Sequence, residues 1–318
     1  MYQSISSATG LIMSLYKNAT KAIQAGMNNS HEKENIFDRL RREIEQTREG
    51  SAEKTIINKH TAVNTFEKFC KQKWPDRAGI SIDELTEDII MALERWALDS
   101  GLTPNYVALH MRNLRAIINR INGKGTELFR HVRTRSGQSE KRAVSEDTIH
   151  QIEIIKASET VSSNESQVCA IFLTCFYGMG IPLIDAAHLK KKQYKDGKIV
   201  YFRQKTHRKV TIDVSPELAR LLEELQTPPD CPYLLPILTS TNKHEARKEY
   251  RAFYQKYRRL LHEISQKLDT PVCLTSYTPR HSWASIAYKN NVDINVIARA
   301  LGHANTNITY AYIPRDRR

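Results

Sequence analysis

Apolar positions recur every three or four residues through most of the chain. Val63, Phe66, Phe69/Cys70 and Trp74 lie on one helical face, and Pro75 stops that helix. Thr86 reads as an N-cap, with Glu87 and Asp88 in the first turn, for a helix reaching about Asp99 before Gly101. Thr103-Pro104 is a second start signal. Behind it Val107, Met111, Leu114, Ile118 and Ile121 form an apolar stripe, and Arg112, Arg115 and Asn119 share another face. Residues 166–177 read as a buried helix and 243–268 as a long charged amphipathic one. From Lys198 to Val214 the period changes to two: KIVYF, a turn around Thr206-His207-Arg208, then KVTIDV, a strand pair. Asp293 can cap a helix ending at Leu301-Gly302-His303, and Thr306 can open a last one carrying Tyr310 and Tyr312. Residues two apart on a helix differ by about 200°, so only one of those tyrosines can face a given site. The expected fold is mainly α with a small β-sheet.

Composition shifts divide the chain. Residues 1–50 are polar and nearly balanced in charge, and read as an arm with a helix around 32–48. Residues 51–125 read as a helical bundle. Residues 126–144, with Ser136, Gly137 and Ser139 among charges, read as a basic linker. Ser145 then caps the first helix of a larger α+β domain, 145–318.

The charge points to a partner. The 318 residues hold 48 Lys+Arg and 35 Asp+Glu, a formal net charge of +13. From Arg112 to Arg142 nine basic residues face two acids, and from Lys190 to Lys209 nine face one. Two basic strips, one per domain, suit a clamp on double-stranded DNA. No run approaches the roughly 18 apolar residues of a membrane-spanning helix. The five cysteines are scattered and form no CxxC pair, as expected of reduced core thiols in the cytoplasm without a disulfide frame or zinc site.

The chemistry-bearing stretch is SYTPRHSWASIAYKNNVDINVIARALGHANTNITYAYI, Ser276 to Ile313. It offers a guanidinium that can fork onto phosphate oxygens (Arg280), an imidazole for hydrogen bonding or proton transfer (His303) and a phenol able to form a covalent phosphate ester. No carboxylate cluster of metal-binding type accompanies them, so neither metal nor cofactor is expected. Taken singly, His303 reads more readily as a helix C-cap and Tyr312 as a core aromatic; the ordered set carries the signal. That set, Arg280-His281, Leu301-Gly302-His303 and Tyr312 nine residues after His303, resembles the tyrosine recombinase (phage integrase) family, in particular the integrases of Bacteroidetes mobile elements. The segment GLTPNYVALHMRNLRAIINR is similar to the core-binding, SAM-like bundle of that branch.

The resemblance implies a site-specific recombinase or integrase that cleaves and rejoins DNA through a 3′-phosphotyrosine on Tyr312. Arg280 and His303 would serve the phosphate, Lys205 would act as general acid, and Asp185 would be the acidic helper. Period-two alternation sets Tyr201, Arg203 and Lys205 on one strand face. Arg203, Arg208, Lys209 and His281, with Arg112 and Arg115 in the bundle, would contact DNA. The resemblance also implies a tetramer on DNA and work at the bacterial nucleoid. With only six residues after Tyr312, the 1–50 arm could replace the family's C-terminal subunit contact.

Two positions depart from the pattern. Tyr277 stands where most relatives have histidine or lysine. The family's first arginine would fall at Pro182 or Met179, and no Lys or Arg occurs from Ala157 to Leu189. Loss of one preorganised donor costs about 10²–10³ in rate. Either Arg203 or another basic residue substitutes, or the protein is a weakened or inactive recombinase derivative with an architectural or regulatory role on DNA.

Overall fold

The apolar stripes become helices packed in two units, which divide at Ser139 and Glu140. The structure is a computed structural model that describes residues 35–75, 80–137 and 142–313.

In the first unit α1 (Ile36–Gln46), α2 (Glu53–Lys73), α3 (Glu87–Asp99) and α4 (Pro104–Asn122) surround one core, and a short α5 (Gly125–Leu128) closes it. The start signals work as chemistry: Thr86 Oγ1 accepts from the Ile89 N–H, and Pro104 opens α4. Two boundaries are corrected. Ile36, Phe37, Leu40 and Ile44 of α1 are buried in the bundle core, so 36–46 is bundle and not arm. Their four-residue stripe lay hidden in a polar average; residues 1–34 fall outside the described residues. Leu128, Phe129 and Val132 are buried in the same core, so the expected linker from 126 is bundle to at least Val132.

In the second unit α7 (Ser163–Tyr177) is the central helix, buried almost throughout from Val168 to Phe176. It packs against α6 (Glu146–Ala157), α9 (Pro216–Glu224), α10 (Lys243–Ser265) and α11 (Thr278–Lys289). A short α8 (Leu183–Ala187) leads to an antiparallel sheet of β1 (Tyr194–Lys195), β2 (Lys198–Phe202) and β3 (Lys209–Asp213) in the order β1-β2-β3. The pairs Ile199↔Ile212 and Tyr201↔Val210 turn inward to the core, while Phe202 and Lys209 are exposed at the end of the ladder. The last elements are α12 (Ile294–Ala300) and α13 (Thr306–Tyr310).

Three further expectations change. Lys205 lies in the exposed hairpin turn and not on the strand face it was to share with Tyr201 and Arg203, because β2 ends at Phe202. Tyr312 lies in the turn after α13, so the helical rotation argument does not decide its direction. Cys231 is half-buried and Cys273 exposed, so only Cys70, Cys169 and Cys175 are core thiols. No helix among the described residues is long and apolar enough to cross a membrane.

Candidate active site

Arg280 is the centre of the second unit's polar cluster. Proline at the second position of α11 starts the helix at Thr278, and Arg280 follows with 2% of its surface exposed. Its Nη1 donates to the Gly180 carbonyl (2.8 Å) and its Nη2 to the Leu301 carbonyl (2.6 Å). Nη2 also lies 3.0 Å from His303 Nε2, while Nε is buried with no partner. Burial, then Arg203, lowers the pKa of Arg280; the Tyr312 phenol acts in the opposite direction.

His303 is placed by the end of α12. The His303 N–H bonds the Ala298 carbonyl and the Gly302 N–H bonds that of Arg299, with Gly302 at φ +64°, which is a Schellman stop. A guanidinium can only donate, so His303 Nε2 accepts and the ring proton sits on Nδ1, which donates to Thr309 Oγ1 at 2.8 Å. Burial, then Arg280 and Arg203, pushes its pKa down to about 3, so the ring is neutral at pH 7.

Tyr312 is held by its backbone. Its N–H donates to the Thr309 carbonyl (2.9 Å), and its own carbonyl accepts from Ser285 Oγ of α11 (2.8 Å). The ring centroid lies 4.4 Å from that of His281 and 5.3 Å from that of His303, and Arg280 Cζ stands 5.7 Å from it. Tyr310 is exposed and touches none of these rings. Burial, then Arg142 and Arg280, lowers the His281 pKa to about 4.

The hairpin reaches the same cluster. Arg203, just past β2, donates from Nε to Asp185 Oδ2 (3.3 Å) and from Nη1 to the Leu301 carbonyl (3.0 Å). Asp185 of α8 also accepts from the Gln204 N–H at 3.0 Å. Arg208 donates to the His303 carbonyl (2.9 Å). Arg280, His303, Tyr312, His281, Arg203, Arg208 and Asp185 are thus gathered in one place. Lys205 and Lys209 are exposed on the hairpin, and exposed Tyr277 caps α11 with its ring 6.4 Å from that of His281. Arg112 is exposed and Arg115 half-buried on α4 of the other unit. At the expected position of the first arginine, Met179 is half-buried and Pro182 buried, and neither carries charge.

Residue-type reasoning missed the carbonyls of Gly180 and Leu301, Thr309 and Ser285. A backbone acceptor leaves no trace in residue type; the glycines at 180 and 302 were the only available hint. Among the described residues no group of three or more His, Cys, Asp or Glu could hold a metal ion.

Residues 144–317 match the phage integrase family and 35–121 the phage integrase SAM-like domain. Among solved structures the chain is similar to a lambda integrase (75–356) dimer bound to a COC′ core site, with TM-score 0.64, 14% identity and coverage of 87% of this chain and 95% of that one. It is also similar to a lambda integrase tetramer bound to a Holliday junction (TM-score 0.66, 15% identity, 93% and 82% covered). A third likeness is to the Tn1549 transposon integrase in complex with transposon right end DNA (TM-score 0.64, 12% identity, 87% and 94% covered). No curated protein matches the chain. Those solved structures share its fold; the family match spans more than half of its length, and the chain belongs to the phage integrase family of tyrosine recombinases.

Proposed function

We propose that the protein is a site-specific DNA strand transferase with Tyr312 as nucleophile. The observation that carries this reading is the placement of the Tyr312 ring against His281, His303 and Arg280. The Tyr312 oxygen attacks phosphorus as the bond from phosphorus to the 5′ oxygen breaks, leaving a 3′-phosphotyrosine. The phenolic proton passes to His303 Nε2, which becomes basic enough to take it once Arg280 turns to the phosphate and the phosphate charge offsets the two guanidiniums that lower its pKa. The leaving 5′ oxygen takes a proton from the Lys205 ammonium and becomes a free hydroxyl. A 5′-hydroxyl of a partner strand reverses the step onto new DNA, so one phosphoester replaces another and no nucleotide hydrolysis is needed. Arg280 balances charge that develops on the non-bridging oxygens. The substrate is duplex DNA, met by the hairpin of one unit and by Arg112 and Arg115 of the other. Paired cleavage requires several copies of the chain on one site, a tetramer in the full exchange, working in the cytoplasm at the nucleoid.

A duplex nicked just beyond the cleaved phosphate loses the short fragment that bears the new 5′-hydroxyl and cannot religate, which traps the ester. Wild-type protein and the Tyr310→Phe variant are expected to trap DNA, and Tyr312→Phe none. An adduct that survives Tyr312→Phe overturns the assignment. The uncharged residues at Met179 and Pro182 favour a second reading, a DNA-binding derivative without strand transfer. It gives salt-sensitive binding with no adduct.

A further inference from the structure

We infer that Arg203 is the second phosphate-binding guanidinium of this site, delivered from the β-hairpin where the chain from Ala157 to Leu189 carries no cation. The inference rests on the strand-transfer reading of the Tyr312 site.

Arg203 and Arg280 are 7% and 2% exposed, and both donate to the same Leu301 carbonyl. Two buried guanidiniums on one oxygen repel, and Arg203 lowers the Arg280 pKa. Asp185, 4% exposed, is the carboxylate paired with Arg203, and no carboxylate is paired with Arg280 among the described residues. The cluster therefore carries one buried positive charge in excess. Such a charge is costly unless an anion completes it. A phosphodiester supplies one, and its two non-bridging oxygens match two guanidiniums.

Arg203 is also held ready. Asp185 fixes Nε and Leu301 fixes Nη1, which leaves Nη2 for a ligand. Its stem runs against Gly302, where an added Cβ would lie 2.7 Å from Arg203 Cδ. A solvated hairpin arginine has none of these constraints. The same carbonyl thus sets the spacing of the two guanidiniums, and the Asp185 ion pair is the positioning contact behind one of them.

The test uses a nicked duplex selected by wild-type adduct formation from a pool with randomised flanks. The duplex is then made with either the ordinary phosphate or a methylphosphonate at the cleaved position. The methylphosphonate lacks one negative charge, so it removes the need for one of two cations. Arg203→Met with Asp185→Asn removes both members of the pair and leaves no orphan charge; Arg203→Lys keeps the pair and loses the fork. On phosphate the double variant is expected to slow adduct formation by about 10²–10³, with Arg203→Lys between it and wild type. On methylphosphonate the gap closes, which neither a folding defect nor a merely structural role produces. Equal rates on phosphate, or the same loss on both substrates, overturns the assignment of Arg203 and leaves Tyr312 standing. No wild-type adduct overturns the strand-transfer reading, and the assignment with it.

Discussion

Gly302 fixes the distance between helix end and hairpin. Its φ of +64° closes the Schellman stop that leaves the Leu301 carbonyl to both arginines, and its missing Cβ makes room for the Arg203 stem. Gly302→Ala is expected to cost about 1–3 kcal/mol through backbone strain, and to displace Arg203 and so slow adduct formation. Gly101 is the control: it has φ +83° but nothing within 4 Å of an added Cβ. Gly101→Ala is expected to lower thermal stability and leave the adduct rate unchanged; equal activity losses in the two variants would contradict this account. At this scale the sequence makes legible which side chains gather, Arg280, His303 and Tyr312, because each is named by its residue type. At Lys205 the period of two fails, because β2 ends at Phe202 and the chain turns. The sequence is silent on Gly180 and Leu301, whose contribution is a carbonyl that every residue has.

Helices and hairpin carry the pH dependence. An unfolded histidine takes up its proton near pH 6.5. In the folded second unit His281 resists protonation until about pH 4 and His303 until about pH 3, each chiefly because burial penalises the charged ring. Between pH 6.5 and those values the unfolded chain binds more protons, so stability is fully present above 6.5 and is lost as pH falls. Glu165, held to about 2 first by Lys267 at 2.5 Å and then by the Ser162 backbone, loses its contribution only as pH falls from 4.5 toward 2. Melting temperatures from pH 7 to 4.5 therefore report the histidines. A decline that is smaller in His303→Asn is expected, and an unchanged decline would contradict the buried neutral ring. In the first unit His110 of α4 is buried with neither ring nitrogen partnered, its pKa lowered by burial. An unsatisfied buried polar group costs about 1–3 kcal/mol, so His110→Leu is expected to raise the melting temperature of the bundle. Element starts were legible because caps are local: Thr86, Ser145 and Asp293 each accept from a backbone N–H two or three residues on. The last helix opens at Thr306 as expected, but its end is not legible, because a turn held by the local Thr309 carbonyl and by Ser285 of α11 takes over at Tyr312.

At the scale of the molecule, charge and core tell different stories. Each unit has its own hydrophobic cluster, and the two divide at 139/140. Average polarity conceals the apolar stripe of α1 and the buried Leu128, Phe129 and Val132 beyond α4, which belong to the bundle core. The +13 surplus lies in two strips of +7 and +8, so the remaining chain is slightly acidic. Within the strips some charge is internal: Arg120 pairs with Glu43, Arg130 with Glu87, and Arg203 with Asp185. DNA affinity measured from 50 to 200 mM salt is expected to fall by about 10³ or more if both strips meet phosphates. A flat salt response would contradict phosphate binding by the two strips. The central claim is the covalent step, and it is tested most directly by incubating wild-type protein and the Tyr312→Phe variant with the pool of nicked duplexes, then separating products under denaturing conditions. A protein–DNA species is expected with wild type and is expected to vanish with Tyr312→Phe. A pool that is bound with salt-dependent affinity yet yields no covalent species would contradict it.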